Sequence, residues 1–204
     1  MQMNIHKPII DFTNYNHIKI LTAILSFFCL TPTGMSQQAG EPSIYAVGDY
    51  AQGGVVFYVD ASGKHGKVVY LHQMGHIRWS EVTSTYSYCS AFSPTNGAGN
   101  TSAIIQNPDH IVSAASLCAE MAYGGFDDWY LPSIEELSDL YDSRVTVDQT
   151  LNSVGGEPLG THAYWSSLES SSNFEMAYAW KFFDGTSALG SKNGFGNTRA
   201  IRSF

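Results

Sequence analysis

GGFDDWYLPSIEEL, residues 124–137, constrains the fold of this chain more than any other stretch. Paired glycines accept the left-handed conformation that ends a helix. Pro132 holds Leu131 out of the α region, so the preceding DWYL crosses in extended form. Ser133 and Glu136 then spell a capping box. The serine hydroxyl accepts from the third helical amide, and the glutamate reaches back to the serine N–H. Leu131 and Leu137 are spaced for a hydrophobic staple across that cap, and Leu137, Leu140 and Tyr141 form the inward stripe of the next helix. Asp128, Trp129, Pro132, Ser133 and Glu136 are therefore assigned to architecture. Asp127 and Asp128 sit next to each other on an extended segment, which points their carboxylates to opposite faces and away from a shared substrate atom. One is expected to accept from loop amides while the other faces water, with calcium ligation and acid–base catalysis as the alternatives.

The flanking segments predict an α+β domain. VVFYVD and KVVYLH, joined by ASGKHG, read as a β-hairpin. Residues 80–107, rich in Ser, Thr, Asn and Gly, read as irregular with one helical turn at NTSAIIQ. From Asp109, taken as an N-cap, Ile111, Val112, Ala115, Cys118, Ala119 and Ala122 recur at helical spacing. After NSVGGEPLGTH the chain reads as strands: AYWSS, then EMAYAWKFF with Met176, Tyr178, Trp180 and Phe182 on one side. A DG turn, TSALGS and TRAIRSF follow.

The first forty residues differ from the rest. Lys7 and Lys19 precede the apolar ILTAILSFFCL, and small residues follow, as in a secretory signal. The expected organisation is a signal peptide over 1–36, a lead-in over 37–46 and one domain over 47–204. The mature chain would be secreted or held on the outer cell surface, with no membrane span. Lipid attachment through Cys29 is the alternative to free secretion, with bulky Phe28 before it speaking against. The net charge is −8, and the removed segment carries two lysines and one aspartate, so the acid excess belongs to the folded part. That balance excludes nucleic acid as a partner, since binding it requires neutralising phosphates. Cys89 and Cys118 remain as an even pair in an exported chain and are expected to form a disulfide. Closing about thirty residues would contribute on the order of 3 kcal/mol. Two separate buried thiols are the alternative.

GDYAQGGVVFYVDASGKHG, NTSAII, AASLCAEMAYGGFDDWYLPSIEEL, YWSSLESS and the final TRAIRSF occur in order from about residue 47 to the end. Together they resemble the Lcl C-terminal-like domain family, named from the tail of a collagen-like bacterial adhesin. The resemblance implies a C-type-lectin-like fold whose first and last strands pair and whose long loops carry the ligand. It implies an exported binding or adhesion domain with glycans as the ligand class; the expected function is a non-catalytic module that meets a glycan or a cell-surface protein. No Gly-X-Y region precedes the domain, and the acidic charge disfavours a sulfated polyanion.

Within the later loops, Trp165 adjoins a polar segment and is the tryptophan assigned to sugar stacking, with a core position as the alternative, whereas Trp129 and Trp180 read as core. Glu169, Asn173, Asp184, Asn193 and Asn197 complete the expected ligand face, and with Glu157 they form an oxygen-rich set suited to a hard cation such as Ca²⁺. No other cofactor is expected. HQMGH lacks the glutamate of a zinc helix, and Ser166 or Ser167 with His162 and Asp184 lacks a nucleophile elbow. A copper oxidase using Cys89 and Cys118 and a structural subunit of a surface assembly are the rival readings.

Overall fold

The computed structural model describes residues 44–82 and 88–204; the signal segment and Cys29 expected at the N-terminus lie outside them. The chain divides at residues 39 and 40, and the described residues all belong to the second unit, Gly40–Phe204. That unit opens with β1 (Tyr50–Ala51), β2 (Gly54–Val59), β3 (Gly66–Val69), β4 (Gly75–Arg78) and β5 (Ser80–Val82). Then come α1 (Gly97–Ile105), β6 (His110–Ser113), α2 (Ala114–Ala119) and α3 (Ile134–Ser153). The chain ends with β7 (Ala163–Glu169), β8 (Met176–Lys181), β9 (Thr186–Ser191), β10 (Phe195–Thr198) and β11 (Ile201–Ser203).

The hairpin expected around ASGKHG is β2–β3, bulged between Val56 and Tyr58. It lies in a four-stranded sheet ordered β1-β2-β3-β11. The last strand thus joins the first hairpin, but through β3 and not β1. Gly66 and Phe204 exchange both backbone hydrogen bonds at 3.0 Å. A five-stranded sheet, β4-β10-β7-β8-β9, forms the other half, and β5 and β6 make a separate pair. The α+β class holds.

The capping box at α3 is formed as the sequence requires: Ser133 N–H donates to Glu136 Oε2 at 2.8 Å, and Glu136 N–H donates to Ser133 Oγ at 3.3 Å. Leu137, Leu140, Val147 and Leu151 are buried against Val55, Phe57 and Val69 of the first sheet and Tyr164 of the second. Each such leucine contributes about 1.5–3 kcal/mol by leaving water. A second core gathers Trp79, Trp129 and Trp165 around Ile104, Cys118 and Leu131. Leu131 and Leu137 therefore face different cores and form no staple across the cap.

Local expectations change in three places. The helix predicted from Asp109 starts later: residues 110–113 pair with β5, and Ser113 caps α2 in a capping box with Ser116. Ile111, placed on the buried stripe by the helical reading, is exposed. β-branched Ile111 and Val112 favour the extended pairing, and a cap residue at 113 defers the helix. The helical turn at NTSAIIQ is a full nine-residue helix capped by Asn96. In β8 Trp180, read as core, is only partly buried, and Ala177 and Ala179 on the opposite side are the buried positions. Trp180 is half-buried against the α3 core.

Candidate functional site

The segment Phe126–Leu131 is anchored from both sides. Arg202 on β11 donates from Nε to Asp128 Oδ1 at 2.5 Å and from Nη2 to Oδ2 at 2.8 Å, a bidentate pair. Its guanidinium also lies 3.7 Å from the Phe126 ring centroid and donates to the Gln52 carbonyl. The hydrogen bonds from Arg202 hold the Asp128 carboxyl below its ordinary value, which keeps it ionised and unsuited to general-acid work. The partner is a guanidinium and not the loop amides expected. Tyr130 donates its hydroxyl to Glu136 Oε1 at 3.0 Å, and Lys67 pairs with the same oxygen at 3.0 Å. Burial of Tyr130 beside that carboxylate raises its phenol far out of the working range. Trp129 is buried and Pro132 precedes the cap. These residues hold the loop, α3 and β11 together. Asp127 is exposed and lines a cleft of about 300 Å³ against α1, with Thr101, Ser102 and Gln106 opposite. Asp128 and Tyr130 line the same cleft, the first held by Arg202 and the second by Glu136.

The six residues expected to bind ligand are not gathered in one place. Glu169 is buried: Oε2 meets Lys192 Nζ at 2.7 Å, and Oε1 accepts from the Cys89 and Ala91 amides at 2.8 and 3.2 Å. Asn173 accepts from the Glu175 amide within its own turn. Asn193 lies in the β9–β10 turn, where its N–H donates to Ser191 Oγ. Asp184 accepts from Lys181 Nζ at 2.9 Å and from Thr186 at the β8–β9 turn. Asn197 accepts from Gln73, whose backbone N–H donates to Glu157 Oε2. Among the described residues, no three His, Cys, Asp or Glu side chains come together as a metal site.

The expected disulfide is not formed: Cys89 and Cys118 are free thiols. Cys118 is fully buried on α2, and burial drives its thiol out of the reactive range. Burial likewise pushes Cys89 to about 11, and Asn107 donates to its sulfur. Burial thus disfavours the thiolate at both positions.

Trp165 does mark a concave surface. A hollow of about 200 Å³ lies on the outer sheet, floored by Trp165, Ala163, Ala179, Ala188, Gly190 and Gly196. The indole itself is only 4% exposed and donates to the Ile77 carbonyl at 3.0 Å. A Cβ on either Gly190 or Gly196 would come within 2.6 Å of it, so bare backbone is required where the ring lies. The exposed ring at the rim is Phe195, 58% exposed and tilted against His76 with centroids 5.8 Å apart. Lys181 and Leu189 complete the rim, and the Arg78 guanidinium lies 5.1 Å from the Phe195 ring centroid. Phe195 was missed in the sequence, although an aromatic residue flanked by Gly194 and Gly196 is a signal of an exposed ring.

Residues 68–202 match the Lcl C-terminal domain model. The chain belongs to the Lcl C-terminal domain family. No curated protein matches it. Among solved structures this Lcl C-terminal domain protein is similar to a fimbrial protein from Bacteroides ovatus ATCC 8483, at 17% identity and a TM-score of 0.53. The match covers 68% of this chain and 35% of that one, so the chain spans about a third of the fimbrial protein's length. At that identity the likeness concerns fold. The family and this neighbour fit a surface protein module. No helix among the described residues is long and apolar enough to cross a membrane.

Proposed function

We propose that this chain is a secreted or surface-held, non-catalytic adhesion module that binds a neutral glycan at the Trp165 hollow, on a C-type-lectin-like scaffold. The carrying observation is the hollow itself: a floor of glycine, alanine and one indole edge, with an exposed Phe195 wall and a cationic rim. A pyranose offers apolar C–H faces to an aromatic wall and hydroxyls to polar groups around it. Lys181 is positioned by Asp184, so that acid serves the site through the lysine. Asn197 lies on the neighbouring β10, whereas Glu169, Asn173 and Asn193 fit structural roles better. Calcium is not required by this reading. Neutral sugars suit it better than sulfated ones, because the acidic chain repels polyanions over roughly 8–10 Å.

A glycan array followed by calorimetry, with and without calcium, tests the proposal. Binding weakened at least tenfold by Phe195→Ala and unaffected by chelation is expected; losing one exposed aromatic contact supplies about 1.4 kcal/mol. An array without a binder, or a binder indifferent to Phe195→Ala and Lys181→Ala, removes the site. The second reading, a structural subunit of a surface assembly, draws support from the fimbrial neighbour and from exposed Phe183, Leu189 and Phe195 around the outer sheet.

A further inference from the structure

The outer sheet ends on β9, and the hydrogen-bond pattern fixes which of its backbone groups face outward. Lys192 N–H donates to the Glu175 carbonyl, which makes Met176–Ser191 a non-hydrogen-bonded pair of the β8–β9 ladder. Alternation then directs the amides and carbonyls of Thr186, Ala188 and Gly190 at β8. Those of Ser187, Leu189 and Ser191 point away from the sheet. On the other side of β8, Phe182 N–H donates to the His162 carbonyl, which gives the same phase. Among the described residues, no hydrogen bond reaches the backbone groups of Ser187 or Leu189.

Sheet edges are usually blunted by charge, proline, a bulge or shortness. The edges formed by β1 and β11 are two and three residues long, and β4 carries His76 and Arg78. β9 has none of these protections. Its sequence, TSALGS, is uncharged and without proline, its six pairs with β8 run in unbroken register, and Leu189 is exposed at its centre.

We infer that β9 pairs antiparallel with β9 of a second copy of this chain, in the register Leu189 to Leu189 and Ser187 to Ser191. A two-fold axis perpendicular to the sheet keeps each side chain on its own face. The outward groups of both copies must also meet one another. Registers that set outward residues opposite outward ones meet both conditions, and the one centred on Leu189 engages all three of them, Ser187, Leu189 and Ser191, where those centred on Ala188 or Gly190 engage only two. The two Leu189 residues exchange reciprocal N–H to carbonyl bonds, and their side chains meet across the seam. The Ser191 carbonyl already accepts from Gly194 at 2.7 Å, and its second lone pair remains for the partner's Ser187. An uncharged edge places no like charges opposite each other, which self-pairing of β4 would do with Arg78.

Two five-stranded sheets become one continuous sheet, with both Trp165 hollows on the same face. Five strand spacings separate them, about 24 Å. The use of this arrangement rests on the glycan reading: two weak sites presented together bind a multivalent surface more tightly than either alone. The pairing itself does not depend on that reading.

Sedimentation velocity over a hundredfold range of protein concentration, without any glycan present, tests the pairing. Leu189→Pro removes the central outward N–H without touching the β8 ladder. Leu189→Lys sets two like charges across the seam. Expected is a reversible monomer–dimer equilibrium, weakened at least about tenfold by both variants, with thermal midpoints and circular dichroism retained. Raising salt should strengthen the dimer, because two acidic chains repel less when screened. A wild-type chain that stays monomeric at the highest concentration overturns the inference, as does a dimer whose dissociation constant neither variant changes.

Discussion

Glu169 is the residue whose assignment moved furthest, from ligand face to interior, and its substitution separates the two roles. Its carboxylate and the Lys192 ammonium are 2.7 Å apart with side chains 0% and 1% exposed. Lys192 also lies 4.7 Å from the Trp79 ring centroid, and Glu169 accepts the amides of Cys89 and Ala91. The pair thus ties the segment around residue 90 to β7 and to the β9–β10 turn. Removing one partner of a buried pair leaves the other charge uncompensated and costs about 3–5 kcal/mol. Glu169→Gln keeps a carbonyl for the two amides and should lie near 3 kcal/mol. Lys192→Met strands the carboxylate and should lie nearer 5. For a domain of this size each kcal/mol moves the midpoint by roughly 2–4 °C, so Glu169→Gln should melt about 6–12 °C lower. The double variant should recover part of the loss, because neither charge is then stranded. Urea denaturation at neutral pH measures all three. Single-variant losses under about 1 kcal/mol, the range of exposed pairs, would refute the reasoning.

Three further outcomes are expected. Native protein should react slowly with iodoacetamide at pH 7, because burial raises both thiols, whereas unfolding without reductant should label Cys89 and Cys118 alike; mass spectrometry showing both blocked would restore the disulfide. Arg202 depresses the Asp128 pKa in the folded state, so its stabilisation is present above the ordinary value of 3.8 and is lost as pH falls below it. Asp128→Asn should therefore lower stability at neutral pH and flatten its fall between about pH 5 and 2, which acid titration followed by tryptophan fluorescence would show. Gly196→Ala should displace the Trp165 ring and cost about 1–3 kcal/mol through overpacking, read by denaturation, whereas Ala188→Gly should cost less than half of that.

Local chemistry was legible in the sequence. The Ser133–Glu136 box, the hairpin around ASGKHG and the DG turn are each decided by residues within a few positions of one another. Asp128 was assigned to architecture from its neighbours alone, and the partner it has, Arg202, lies at the other end of the domain. The features that resisted reading depend on distant partners. An Ala- and Cys-spaced helical period extends back through Ile111 and Val112, and only the pairing of β6 with β5 overrides it. Glu169 follows YWSSL in a serine-rich stretch that reads as surface, and only Lys192, 23 residues on, makes its burial tolerable. Trp165 borders a concave surface but is itself covered, the core position weighed as its alternative, because strand neighbours set which ring is covered and which is left outside. The expected disulfide failed for a related reason: spacing along the chain says nothing of whether two thiols face each other.

Recognition at the Trp165 hollow, with the paired aspartates confined to architecture, is tested most directly by nuclear magnetic resonance. The isotope-labelled chain is titrated with glycans selected from the array while indole and backbone amide resonances are followed. Selective shifts at the Trp165 indole and the Phe195, Gly196 and Gly190 amides are predicted, with Asp127 and Trp129 unmoved. Shifts confined to the Asp127 cleft, or turnover of a ligand there that Asp127→Asn abolishes, would contradict it.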